Sequence, residues 1–138
     1  MTRTQRIWAR VLLGLYILAI LVLCFANFSS APDIQDEILG IPMDKLVHFL
    51  MFLPFPFLAY FAFDEHTDTV RSTLLFTGVT FAVGCIFAAA TELGQARLTT
   101  WRSGDPKDLA SDFAALAIAS IVVFFLDIRK QRKACSEE

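Results

Sequence analysis

The sequence predicts an all-α fold, an integral membrane bundle of four transmembrane helices with both termini cytoplasmic, and three observations carry that expectation. Of the 138 residues, 56% are hydrophobic, and the mean hydropathy of +0.57 exceeds what water-soluble domains of this size carry. The apolar residues gather into four runs separated by short polar stretches. The basic residues then divide unevenly between the two sides that four crossings would create. Residues 1–138 read as a single membrane domain without internal repeats.

The first run, residues 7–28, is interrupted only by Arg10 near its start, where a long side chain reaches the interface. Because Arg3 and Arg6 precede it and Ser29 and Ala31 supply small residues, a cleaved secretory signal is the rival reading. The apolar stretch from Val11 onward outlasts the roughly 7–15 residues of a signal core, which favours an uncleaved anchor. The second run, residues 46–63, holds His48, Pro54 and Pro56. Each proline removes a backbone donor, so a kink or local unwinding is expected near the middle. Residues 72–93 form the third run, just long enough at about 1.5 Å per residue to cross about 30 Å of hydrocarbon. The fourth, residues 106–128, opens at Asp105-Pro106, an N-cap followed by proline in the first helical position. It ends against Arg129, Lys130, Arg132 and Lys133. The phenylalanines all fall within these runs and read as filling between helices or as lipid-facing surface.

With both termini inside, Arg3, Arg6, Arg10, Arg71 and the four basic residues of the tail are cytoplasmic. Lys45, Arg97, Arg102 and Lys107 are then outside, an asymmetry in the sense of the positive-inside rule. A net charge of -2 offers no field for nucleic acid, which is excluded as a partner. Cys24 and Cys85 lie in apolar runs and Cys135 in the tail, without metal-binding spacing, so neither a disulfide framework nor a zinc site is expected.

In this topology the outer ends of the second, third and fourth helices collect the unusual polar residues. Asp44 and His48 share a face with Lys45 beside them. Glu92 and Gln95 close the third helix. Asp105, Asp108 and Asp112 form one stripe on the fourth, and Arg97, Arg102 and Lys107 occupy the loop between. Plain roles exist for several of them: Asp105 as a cap, Asp108 as a helix-dipole partner, Asp44 and Lys45 as interfacial charges, and His48 as a packed imidazole. Asp112 resists such a role, because it lies about a turn inside its helix, where a carboxylate needs a partner, water or a proton. His66 belongs to the opposite face, so a two-histidine metal site is not expected; no metal and no cofactor are inferred.

These residues carry a resemblance. Asp44-Lys45-Leu46-Val47-His48-Phe49 opens one helix, Thr91-Glu92-Leu93-Gly94-Gln95 closes the next, and Arg102, Asp105 and Asp108 open the last. In order and spacing this resembles the VanZ-like family of integral membrane proteins, whose pattern is D-K-x-x-H, E-x-x-Q and R-x-x-D-x-x-D, over roughly residues 44–125. Where that family often has asparagine followed by glycines, this chain has Asp112 and Ala115. The resemblance implies a multi-pass protein of the bacterial cytoplasmic membrane with a role in the cell envelope, among proteins of polysaccharide, peptidoglycan and antibiotic response. It supplies no reaction.

Three functions follow as expectations. The first is a protein that binds a lipid-linked or anionic envelope component, or an envelope-assembly partner, through Asp44, Lys45, His48, Glu92, Gln95, Arg102, Asp105 and Asp108, among membrane lipids and as a possible homo-oligomer. The alternative is a membrane enzyme acting on a lipid-linked phosphate or glycan, with His48, Glu92 or Asp112 as acid or base and Arg97 or Arg102 holding the anion. A proton-coupled carrier is third, since four helices make a small pathway.

Two outcomes test this reading. A cysteine placed at Ala96 should be labelled from outside in intact cells, and labelling only after permeabilisation would reverse the orientation. Arg102→Ala should cost about 3–5 kcal/mol if Arg102 pairs with a buried helix-end carboxylate, and about 0–1 kcal/mol if water reaches the pair. Arg102→Lys should rescue it in part and Arg129→Ala should do little, with abundance and an envelope-stress phenotype as the readouts.

Overall fold

Apolar segments in a bilayer satisfy their backbone groups internally only as helices or closed barrels, and this chain takes the helical solution. The computed structural model describes residues 1–26, 37–38, 41–100 and 105–136. Its elements are α1 (Arg3–Phe25), a two-residue antiparallel ribbon of β1 (Glu37–Ile38) and β2 (Ile41–Pro42), α2 (Met43–Phe52), α3 (Phe55–Phe63), a 3-10 turn (Asp64–His66), α4 (Val70–Leu98) and α5 (Pro106–Ser136). Four helical segments, Arg3–Phe25, Met43–His66, Val70–Leu98 and Pro106–Ser136, are long and apolar enough to cross a membrane. The chain thus has the all-α, four-span architecture that its hydropathy predicts.

Local chemistry explains where the helices start and break. Thr2 with Gln5, and Thr69 with Ser72, form reciprocal caps at the heads of α1 and α4, leaving fewer backbone N–H groups unsatisfied. The second crossing divides at Leu53-Pro54 into α2 and α3, because Pro54 and Pro56 withdraw two donors within three residues of the helical ladder. The Tyr16 hydroxyl of α1 donates to the Met51 carbonyl beside the break. Two helices run past their expected ends. α4 continues to Leu98 rather than stopping near residue 93, and α5 continues through the basic tail to Ser136. Hydropathy marks where apolar character stops, whereas Lys, Arg and Gln keep a helix going once it leaves the apolar layer.

The core is built from Ile20 and Cys24 of α1, Phe52 of α2, Phe55 of α3, Ala88 of α4, and Ala115 and Leu116 of α5. Alanine and glycine let the backbones approach, as small residues do between membrane helices. A Cβ on Gly84 would stand 2.6 Å from a Leu116 methyl, and one on Gly94 2.7 Å from the Phe25 ring. Leu74, Val79, Val83, Ile86, Ile121 and Phe125 face outward, an apolar exterior suited to lipid. Cys24, Cys85 and Cys135 are thiols outside any disulfide.

The head of α1 and the tail of α5 lie together at one end of the bundle, the termini end. The Met1 amino group and the Arg6 guanidinium lie 3.3 and 2.5 Å from the Asp64 carboxylate, and Arg10 pairs with Glu65. Gln131 of α5 donates to the Thr67 carbonyl at 2.9 Å. The starts of α2 and α5 and the late turns of α4 form the other end, where the predicted polar residues gather.

The close α4–α5 contact makes a direct prediction. Gly84→Ala should destabilise the protein by about 1–3 kcal/mol, because Leu116 is fully buried and cannot swing away. Gly78→Ala, with open space around its Cβ, should be neutral or stabilising by about 0.5–1 kcal/mol. Thermal unfolding of both variants in one detergent checks the difference.

Candidate functional site

Two helix starts and one helix wall build the site. At the head of α5, Asp105 Oδ1 accepts the Lys107 backbone N–H at 2.9 Å, and its carbonyl accepts from Asp108 at 2.9 Å, so Asp105 caps α5 as its sequence position predicts. Asp108 and Asp112 follow one turn apart on the same face. α2 contributes Asp44, Lys45 and His48 within its first two turns. α4 contributes Glu92, which the lengthened helix places on a helical wall rather than at a terminus.

The imidazole of His48 is the centre. Its Nδ1 stands 3.2 Å from Asp112 Oδ1, 3.4 Å from Oδ2 and 3.7 Å from Glu92 Oε1. On the other side Nε2 is 3.9 Å from Asp108 Oδ2, beyond hydrogen-bonding distance. His48, Glu92, Asp108 and Asp112 are all buried, Asp112 completely. Lys45 Nζ serves the outer carboxylates, 3.2 Å from Asp108 and 3.5 Å from Asp105. Glu92 Oε2 accepts the Asp105 backbone N–H at 3.2 Å, tying the α4 wall to the head of α5. Two overlapping trios result, Asp44–His48–Asp108 and His48–Glu92–Asp112, each with its donor atoms within 4.8 Å of one another.

Not every residue singled out in the sequence joins this cluster. Gln95 is buried, but its amide donates to the Cys24 carbonyl at 2.9 Å, so it struts α1 against α4 instead of facing the carboxylates. Arg97 and Lys107 are exposed. Arg102 lies outside the described residues. A cavity of about 270 Å³ opens beside the cluster between α4 and α5, walled by Ala89, Leu93, Ala96 and Leu109 and by the polar Glu92 and Asp105.

Another buried carboxylate, Asp127, lies away from this cluster, and little in the pattern of the sequence singles it out. At the termini end Asp127 accepts from Tyr60 at 2.6 Å, Thr73 at 2.7 Å and Gln131 at 2.9 Å. Its one sequence signal is the Asp127–Gln131 spacing of four. Tyr60 and Thr73 come from other helices, which no spacing within α5 reveals.

Comparison with protein-family models, with curated proteins and with solved structures finds no match for this chain. The site therefore speaks through its own chemistry. A ring nitrogen between two carboxylates can pass a proton, hold a cation or orient a hydroxyl.

Two predictions follow from this geometry. Asp112→Ala leaves His48 buried without its 3.2 Å partner and should cost about 3–5 kcal/mol in thermal or denaturant unfolding, whereas Asp112→Asn should cost less. Asp105 is held below its ordinary carboxyl value by the Lys107 N–H and then by the Lys45 charge. Its stabilising contribution is therefore present above pH 3.8 and is lost as pH falls through the lower folded value. The Lys107 amide should lose hydrogen-exchange protection over that acid range, and Asp105→Asn should remove the dependence.

Proposed function

We propose that the chain is a VanZ-like protein of the bacterial cytoplasmic membrane, with both termini inside, whose outward polar chamber binds the head of a lipid-linked component of the cell envelope. The observation that carries this reading is the cavity between α4 and α5, apolar at Ala89, Leu93, Ala96 and Leu109 and polar at Glu92 and Asp105. Leu93 is half exposed, so an amphipathic molecule in a surrounding bilayer would reach the carboxylates by sliding in sideways. Carboxylates accept hydrogen bonds, which suits the hydroxyl and amide donors of a glycan head. A phosphate on the same molecule would fall to the basic loop, with Arg102 as its fork-shaped partner.

The His48–Asp112 contact of 3.2 Å favours one further reading, acid/base catalysis on that same ligand, in which Asp112 orients the ring and Nε2 exchanges the proton.

Native mass spectrometry of the protein in nanodiscs made from its own membrane tests the proposal. Ala96→Trp fills the cavity and should reduce the co-purifying lipid-linked species by at least about tenfold, since the ligand then has nowhere to sit. Ile86→Trp, on the outer surface, should not. Equal retention in both variants would overturn the binding reading. Retention of the ligand in His48→Gln, together with its accumulation in cells, would favour catalysis.

A further inference from the structure

We propose that His48 Nδ1, Glu92 Oε1 and Asp112 Oδ1 bind a divalent first-row metal cation, of the zinc or manganese type, at the polar end of the bundle. The three donors come from α2, α4 and α5 and lie within 4.8 Å of one another. With metal–donor bonds of about 2.1 Å, neighbouring ligands are separated by about 3.0 Å in an octahedron and about 3.4 Å in a tetrahedron. The observed separations from Nδ1, 3.2 Å to Asp112 and 3.7 Å to Glu92, bracket the tetrahedral value.

Charge supports the same assignment. Glu92 and Asp112 are both buried, and among the described residues the basic group within 4 Å of them is the imidazole they share. A neutral histidine and two carboxylates sum to minus two, which a divalent ion balances. The trio on the other side of the ring is different, because Lys45 already sits 3.2 Å from Asp108. The ion therefore belongs on the Nδ1 side.

The surroundings are those of a metal ligand set. Glu92 Oε2 is held by the Asp105 N–H, which orients the carboxylate and leaves Oε1 for the ion. Asp108 Oδ2 stands 3.9 Å from the second ring nitrogen, so a carboxylate lies on the side of the ring away from the ion without hydrogen-bonding it here. Glu92 also borders the 270 Å³ cavity, so a coordination position opens toward water or an incoming ligand. The two-histidine criterion applied to the sequence passed over this site, because one imidazole here combines with carboxylates from two other helices. The inference does not depend on the lipid reading.

The test uses the full-length protein in detergent, stripped with a chelator and titrated separately with zinc, manganese and magnesium. One zinc or manganese ion per chain should remain after gel filtration, with a raised melting temperature and weaker binding of magnesium, which prefers oxygen ligands and keeps its water. Cobalt in place of zinc should give visible ligand-field bands. Glu92→Gln retains an oxygen for the Asp105 N–H, and it should weaken binding by at least about tenfold and change the cobalt spectrum. Absence of stoichiometric binding, or wild-type affinity in both Glu92→Gln and Asp112→Asn, would overturn the proposal in favour of a cluster neutralised by protons. Loss of binding in Asp44→Asn with retention in Glu92→Gln would place the ion on the other side of the ring and overturn this assignment. Ala96→Trp keeps all three donors, so loss of lipid with retention of metal there separates this proposal from the lipid reading.

Discussion

The contact between His48 of α2 and Asp112 of α5, with Glu92 of α4 beside it, constrains everything around it. Buried ionisable groups are costly when unpartnered, and the cost rises where lipid replaces water. Each of these three helices must therefore turn its polar face toward the other two. That rotation sends Leu74, Val79 and Ile121 outward and brings small residues such as Gly84, Ala88 and Ala115 between the backbones. The polar cluster and the apolar packing beneath it share one helix orientation.

The two ends of the bundle treat buried acid differently. At the termini end Asp64 meets Arg6 and the amino terminus, while Asp127 takes three hydrogen bonds from neutral donors. Those carboxylates are satisfied by the chain itself, which is the expected behaviour of structural polarity. At the opposite end, among the described residues, Glu92 and Asp112 share the imidazole of His48, and Asp105 and Asp108 share the ammonium of Lys45. Acid exceeds described base there, next to the cavity that Glu92, Leu93 and Asp105 help to wall. An excess of buried acceptors is what a site for a cation, or for a ligand rich in donors, requires.

Hydropathy alone determined the four crossings, because about 20 consecutive apolar residues have few alternatives to a membrane helix. The cap at Asp105 and the break at Pro54 were equally legible, since each depends on backbone groups a few residues away. Helical spacing likewise placed Asp44 with His48 and Asp108 with Asp112. What tertiary structure decided is which of these faces meet. Gln95, three residues from Glu92, turns to Cys24 of α1 instead of joining the cluster. Asp127 finds Tyr60 and Thr73 across the bundle, and His48 meets Asp112 of α5 at 3.2 Å. Periodicity along a helix reports neighbours within that helix, whereas contacts between helices depend on rotation and close approach, which are set jointly by all the packed side chains.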